Sequence, residues 1–466
     1  PDRSGLSPRE TGPPEPFRRI TPLRTPVVVT HGGGVALGAL DSRAGPGDGE
    51  GVSLAAHPSS ARPPEPASLE GRRFLIASAP YGPFSRALAR SLESRGGHVE
   101  RLILNVGDLW DWRRPGGQRH RGSLEAFRRG LAARLEPFTD VIVFGDTSAH
   151  ARAVLAEARA LGLGIWLLEN GYFRPDWITL ERQGVNAESA VPRDPRAFAT
   201  VVAVEPKPAP VGRILPWHVL HISRYYLLEL LGRPVFPHFR PEYDPSPWRQ
   251  ALGHVGRAAR IRRHPARRRV RRLLDERTPF ILVCLQRDGD SQLVRHSEFR
   301  DNRSFLGAVL DSFADHAPEG LHLVVKGHPL DAGVVDLERM TRDLARARGV
   351  GARVHPLDGG SLAELCRASC GLVVNNSSAA LSALGFGTPV KVLGRAFFDM
   401  PGLTDPAPLD AFWHNQTPPD PDLFARFRTW VIDNTQINGG FHGPAVRRPT
   451  ADAIARAMAA ASRPAD

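Results

Sequence analysis

Apolar residues in this chain gather in short unbroken runs, and between the runs they recur at helical spacing. Phe74–Ala77, His98–Leu104, Val141–Phe144 and Ile165–Leu168 make a first series. Runs that are apolar at nearly every position mark strands covered on both faces, as in parallel sheets sandwiched by helices. The stretches between them carry the 3.6-residue period: Ser85 to Ser94 puts Leu88 and Leu92 on one face, and Leu124 to Leu135 and Ala149 to Leu161 follow suit. A second series comprises Phe280–Leu285, Leu321–Val325, Arg353–His355, Gly371–Val374 and Val390–Leu393. Its helices are expected at Asn302–Ala314, Leu362–Ala368 and Ser378–Phe386, with Asp422–Asp433 and Ala451–Ala461 closing the chain.

Strand, loop and helix in repetition predict doubly wound α/β structure. The rhythm stops between about residues 209 and 277, where an aromatic-rich helix (Trp217 to Leu231) gives way to Arg-rich helices broken near His264-Pro265. Two Rossmann-like halves around a connector predict a GT-B fold, with parallel sheets facing across a cleft. The expected division is a disordered Pro-, Gly-, Ala- and Ser-rich tail (1–70), an N-terminal half (71–208), the connector (209–277), a C-terminal half (278–435) and a closing helix and tail (436–466).

Composition narrows the class. With 41% apolar and 24% charged residues, 466 in all, the chain reads as globular, and no apolar run reaches the roughly 18 residues of a membrane span. The first residues lack a signal-peptide pattern, so secretion is not expected. Cys284, Cys366 and Cys370 are too few for a disulfide framework; Cys366 and Cys370 stand i,i+4, a metal-pair spacing, but no further ligand neighbours them and small core residues is the reading adopted. A reducing cytoplasm fits. The formal net charge of +12 is carried by arginine, since only Lys207, Lys326 and Lys391 are lysines. Nine of sixteen residues from Arg257 to Arg272 are arginine, a patch that would attract an anionic membrane surface or another polyanion. No RNA-binding signature accompanies it, so nucleic acid is not an expected partner.

Chemistry in such folds collects at the carboxyl ends of strands. The run ending at Leu285 empties into Gln286-Arg287-Asp288-Gly289-Asp290-Ser291-Gln292. Asp288-Gly289-Asp290 reads as a turn, as a metal-binding D-x-D, or as the carrier of a nucleophile or base with Ser291, Gln292 and His296 beside it. The next run ends in Lys326-Gly327-His328-Pro329, where a cation pair would hold a phosphate or carboxylate; a capping His and a solvated Lys is the plainer alternative. Asn375-Asn376-Ser377-Ser378 opens a helix, either as a simple cap or as an anion site with hydroxyl donors. In the first half Glu169 ends a strand, with Asp146 and Asp108 as competitors. Two carboxylates about 5 Å apart would suit a retaining double displacement.

Seven motifs in order then carry a resemblance. Tyr81-Gly82-Pro83-Phe84, Asn105-Val106-Gly107-Asp108, Phe144-Gly145-Asp146, Glu169-Asn170-Gly171-Tyr172-Phe173-Arg174-Pro175-Asp176-Trp177, Gln286 with Gly289-Asp290-Ser291-Gln292, Lys326-Gly327-His328-Pro329 and Asn375-Asn376-Ser377-Ser378 together resemble the capsule polysaccharide biosynthesis family, in its KpsS/LipB-like branch related to KpsC. The resemblance implies a retaining glycosyltransferase that moves Kdo from CMP-Kdo to a phosphatidylglycerol-type lipid, working on the inner face of the cytoplasmic membrane beside other capsule-assembly proteins. It implies Asp290 as attacking carboxylate, Glu169 as proton handler, and His328 as a catalytic and phosphate-contacting group. Lys326, Gln286, Ser291, Asn376, Ser377 and Ser378 would complete the donor site, and Asp146, Tyr172, Arg174, Asp176, Gly82 and Asn105 would line the acceptor side or cleft. CMP leaves readily with one phosphate, so neither metal nor cofactor is demanded. The family's acidic doublet is Glu169-Asn170 here, leaving Glu169 its only carboxylate. A CDP-glycerol-dependent glycerophosphotransferase and a non-enzymatic polyanion binder are the alternatives.

Overall fold

Apolar runs that bury both faces of a strand leave their carboxyl ends as the places where polar side chains can gather, and the structure follows that logic. The computed structural model describes residues 68–240, 252–254, 256–257, 266–287, 293, 296–329 and 331–461, with backbone alone at 266 and 267. Residues 1–67 of the expected tail, Asp290 and Ser291 lie outside the described residues. The first half holds β1 (Arg73–Ile76), β2 (His98–Ile103), β3 (Gly117–Arg119), β4 (Asp140–Phe144), β5 (Gly164–Asn170) and β6 (Trp177–Glu181). The second holds β7 (Phe280–Cys284), β8 (His322–Lys326), β9 (Val354–Leu357), β10 (Gly371–Val374) and β11 (Val390–Val392), and β12 (Gln436–Asn438) comes late in the chain.

These strands build a seven-stranded sheet, β12-β6-β5-β4-β1-β2-β3, and a five-stranded one, β11-β10-β7-β8-β9. The five-stranded sheet is wholly parallel. The seven-stranded sheet is parallel from β5 through β3, as expected, and adds an antiparallel edge: β6 runs antiparallel to β5, and β12 antiparallel to β6. The link Gly171 to Asp176 is far shorter than the dozen or so residues a parallel crossover needs, so the chain must return as a hairpin. A side chain at Gly171 would collide with the Trp177 carbonyl, which explains the glycine at this point.

Other departures are local. Leu69, inside the expected tail, is fully buried. The expected helix from Leu124 to Leu135 breaks at Gly130 into two pieces, and helices at Val106–Trp112 and Leu337–Ala347 were not anticipated. The connector's helices divide between the halves: Leu215–Leu231 packs on Val106–Trp112, and Ala266–Asp275 packs along β9. The last helix, Pro444–Ala460, returns to the first half and packs on Phe84–Glu93.

Between the sheets runs an apolar seam. Tyr172, Val191 and Phe198 from the first half belong to the same buried cluster as Phe397, Phe398 and Phe427. The Tyr172 and Phe397 rings stand 4.3 Å apart, and Phe198 meets Phe427 edge-on at 5.5 Å. Gln436 adds a polar tie by accepting from the Tyr172 N–H at 2.9 Å.

One buried ion pair anchors the first sheet. Asp140, 2% exposed, accepts from Arg72 Nε at 3.0 Å, Trp166 Nε1 at 2.8 Å and Thr139 Oγ1 at 2.7 Å. Arg72 also donates to the Met458 carbonyl at 2.7 Å, tying the returning helix to β1. Asp140→Ala leaves that guanidinium buried and uncompensated, so the unfolding free energy should fall by about 3–5 kcal/mol, read by denaturant titration; a loss under about 1 kcal/mol would contradict this account.

Burial also holds several imidazoles neutral. His150 and His221 are pushed down to about 4 and His442 to about 3, by desolvation first and by neighbouring positive or imidazole groups second. Since the unfolded chain titrates near 6.5, protons bind the unfolded state preferentially as pH falls below that value. The stabilisation is therefore complete above pH 6.5 and lost progressively towards pH 4. Midpoints of denaturant unfolding measured from pH 7.5 to 4.5 should decline, and His442→Asn should flatten part of that decline.

Candidate functional site

The carboxyl ends of β5, β7, β8 and β10 open onto one cavity of about 230 Å³. From the first half it is lined by Thr147, Glu169, Asn170, Arg174, Asn186 and Ala187. From the second come Gln286, Arg287, His328, Asn376, Ser377, Ser378, Arg395, Ala396, Phe397 and Phe398. Of the residues read from sequence, Glu169, Arg174, Gln286, His328, Asn376, Ser377 and Ser378 are thus brought together.

Glu169 ends β5 with its Oε1 accepting from its neighbour Asn170, at 2.8 Å from the main-chain N–H and 3.0 Å from the amide. Burial raises its pKa; Arg174 opposes the rise and Asp146 reinforces it. Such a carboxyl exchanges protons closer to neutral pH than a solvated one. Arg174 is aimed by donating from Nε to the Gly171 carbonyl at 3.1 Å.

His328 is held neutral. Burial, then the charges of Arg287, Arg174, Lys326 and Arg257, lower its pKa to about 4. An arriving anion would cancel part of that positive field and make the imidazole a better proton holder. The loop that carries it is fixed by Arg257. That guanidinium donates to the carbonyls of His328 and Pro329, each at 2.9 Å, and of Asp331 at 2.5 Å, while Nε meets Asp358 at 2.7 Å. Arg257 is 7% exposed and so unavailable to any surface partner, which removes it from the expected basic patch. Of that patch Arg268 and Arg269 are exposed, and Arg271 reaches Asp275 and Glu364.

Gln286 is locked in place: Asn302 bonds its main chain on both sides, at 3.2 and 3.0 Å, and Asn375 donates to its side-chain oxygen at 3.3 Å. Asn376 donates to the His296 carbonyl at 3.4 Å, and Ser377 accepts from the Ala379 N–H at 3.3 Å. Ser378 stands at the start of the helix Ala379–Gly385 without a side-chain cap bond. Across the cavity mouth Glu188 of the first half pairs with Arg395 at 3.1 Å and lies 3.5 Å from His296.

Other residues read from sequence stand elsewhere. Lys326 ends β8 but is 5% exposed beside Cys284 and Cys366, does not line the cavity, and has its pKa lowered mainly by burial. Both thiols are buried and pushed up to about 12. Tyr172 is part of the seam, its hydroxyl donating to Glu181 at 2.6 Å. Asp176 accepts from Val211 N at 2.9 Å and pins the passing chain. Gly82 donates to Asp111 at 2.7 Å and faces His221, and Asn105 caps its helix and donates to Tyr225 at 2.7 Å. Asp146 sits just behind the lining, its Oδ1 buried with no hydrogen-bond partner among the described residues, and burial raises its pKa. Among the described residues no group of three His, Cys, Asp or Glu is placed to hold a metal ion.

Arg287, Arg395 and Arg257 were not singled out from sequence. The strand-end rule that found His328 also points to Arg395, three residues after β11, and to Arg287, the neighbour of Gln286. Arg257 had no such signal, because a buried guanidinium and a solvated one look alike in a run of arginines.

Comparison with known proteins extends this picture. The capsule polysaccharide export protein KpsS of Escherichia coli is 31% identical over 394 residues, covering 80% of this chain and 98% of that protein. The capsule polysaccharide modification protein LipB of Neisseria meningitidis serogroup B is 34% identical over 397 residues, covering 79% and 91%. Among solved structures, the β-Kdo 2,7 transferase KpsC of Thermosulfurimonas dismutans aligns at 15% identity and a TM-score of 0.35, covering 77% of this chain and 89% of that one. The family model described as capsule polysaccharide biosynthesis protein matches residues 139–442. Its span takes in the cavity from Glu169 to Arg395, and this chain belongs to the capsule polysaccharide biosynthesis protein family.

Proposed function

We propose that the chain is a glycosyltransferase that moves Kdo from CMP-Kdo to a phosphatidylglycerol-type lipid, with retention, at the inner face of the cytoplasmic membrane. The observation that carries this reading is the cavity itself, where three arginines and a neutral histidine from both halves surround two serine hydroxyls and one half-buried carboxyl. A donor bearing a phosphate and a sugar carboxylate has two anions to place, and Arg174, Arg287 and Arg395 supply separate cations for them.

In this reading Ser377, Ser378 and His328 hold the phosphate of CMP. Asp290 attacks the anomeric carbon, the bond from that carbon to the phosphate oxygen breaks, and CMP leaves with the electron pair. The acceptor hydroxyl then attacks from the vacated face, restores the configuration, expels the Asp290 carboxylate and gives its proton to Glu169. Asp290 follows Arg287 by three residues, so covalent geometry holds their Cα atoms within about 11 Å. No metal is needed for a leaving group of this kind. Exposed Arg268 and Arg269 would add general attraction to an anionic membrane.

The test is incubation with CMP-Kdo and lyso-phosphatidylglycerol, read by mass spectrometry for an increment of one sugar. Asp290→Ala should abolish the product, and Glu169→Gln and His328→Ala should slow it by about 10²–10⁴-fold. Turnover of CDP-glycerol in place of CMP-Kdo would overturn the donor assignment. Product formation untouched by Asp290→Ala would overturn the mechanism.

A further inference from the structure

The helix Leu215–Leu231 is turned the wrong way round for a helix that faces water. Its inward stripe is polar: His221, Tyr225 and Glu229 follow at four-residue intervals and lie against Gly82, Asn105 and Asp108 of the first half. Its outward stripe is aliphatic, with Leu220, Leu227 and Leu231 exposed by 53%, 51% and 68%. Leu215 and Val219 are exposed on the flank of the first turns, and Trp217 and Trp110 stand half-exposed nearby. Water would favour the opposite orientation, by burial of the leucines and exposure of the polar groups. The contacts of the inward face therefore leave a row of exposed leucines outward, interrupted at Ser223 and Arg224, and an exposed aliphatic row of that kind marks a surface that is covered in use.

The charges around the stripe identify what covers it. Arg213 precedes the helix and Arg233 follows it, both exposed. Arg224 on the helix and Arg113 beside it both lie over the Trp110 ring, the latter 3.0 Å from its centroid. The only acidic residue of the helix, Glu229, is buried on the other side. A second copy of the chain docking by this face would set arginines against arginines, because a two-fold contact pairs each patch with itself. A layer of anionic headgroups over acyl chains complements both the rim and the stripe, with tryptophans at the level where they favour a membrane interface. At 17 residues, about 26 Å, the helix would lie along such a surface, and no described helix is long and apolar enough to cross a membrane.

We propose that Leu215–Leu231, with Trp110 and its flanking arginines, is the surface by which this protein lies on an anionic lipid bilayer. The helix covers the carboxyl ends of β1 and β2, on the same edge of the sheet from which Glu169 at the end of β5 faces the cavity. Its first turn is near that cavity: Arg287, which lines it, is close enough to His218 to oppose protonation. A lipid-borne acceptor would thus be delivered beside the site, and in that respect the proposal rests on the lipid-acceptor reading above.

The experiment is flotation of the full chain with vesicles of phosphatidylglycerol and phosphatidylcholine in equal parts, against phosphatidylcholine alone. Wild type should float with the anionic vesicles, and Leu220→Asp with Leu227→Asp should weaken binding about tenfold or more. Both sites are already half-exposed, so the unfolding midpoint should be unchanged, as should CMP release from CMP-Kdo with a short-chain soluble acceptor. Arg213→Glu with Arg233→Glu, which leaves the leucines intact, should remove the preference for the anionic vesicles. Failure of wild type to bind, binding indifferent to both double variants, or a wild-type dimer that the leucine variant splits would each overturn the proposal. Vesicle binding that behaves as expected while CMP-Kdo is never consumed would instead refute the transfer reading and leave this surface standing.

Discussion

The apolar seam around Tyr172 is the contact on which the rest of the site depends. Neither half alone lines this cavity; each contributes a row of strand ends. Packing of Tyr172, Val191 and Phe198 against Phe397, Phe398 and Phe427 brings the end of β5 to face the ends of β7, β8 and β10. The seam continues into the site without a break, since Phe397 touches Tyr172 on one side and lines the cavity on the other. Hydrophobic burial is non-directional, so it fixes the approach of the halves while the fine aim is left to hydrogen bonds. The Glu188–Arg395 pair supplies that aim between the halves, and the Gln436 oxygen on the Tyr172 N–H fixes the hairpin within its own sheet.

Electrostatics inside the cavity follow from that closure. Cations from both halves converge before any ligand is present, and the cost shows in the groups beside them. His328 gives up its proton in this field, while Glu169 is pulled two ways, raised by burial and held back by Arg174. An anion entering such a place meets donors already oriented, so little reorganisation is left for the moment of binding. Fixing of the His328 loop by Arg257 serves the same end. The guanidinium donates to three carbonyls of the loop, and Asp358 balances its charge.

Much of this was legible in the sequence because it depended on local pattern. Strands that are apolar at every position, such as Phe280–Cys284 and Gly371–Val374, announce themselves, and the residues that follow them are necessarily at the sheet's edge. Glu169, Gln286, His328 and the Asn376–Ser378 group were found that way. What was not legible depends on partners distant in the chain. Gln436–Asn438 is too short to read as a strand until it meets Trp177–Glu181. Lys326 looks like a ligand at a strand end, yet alternation of side chains along β8 turns it towards Cys284 and Cys366. Tyr172 lies within the motif from Glu169 to Trp177, but that motif serves the hairpin and the seam as much as the cavity.

The arginines make the same distinction in sharper form. A run such as Arg257–Arg272 invites a single explanation, whereas the structure gives its described members different tasks. Arg257 is buried and organises the His328 loop, Arg271 pairs along and across its helix, and Arg268 and Arg269 face solvent. Conversely, the helix Leu215–Leu231 has few charges of its own, and nothing in its sequence says which face is outward. Its orientation is decided by the polar groups that find partners, Tyr225 with Asn105 and Asp108 and Arg224 with Asp111 at 2.9 Å, while His221 Nδ1 and Glu229 Oε2 are buried with no hydrogen-bond partner among the described residues. Hydrogen bonds made in this low-dielectric interface hold the helix in its orientation, with the outward leucines half-exposed. Polar specificity inside thus leaves hydrophobic surface outside.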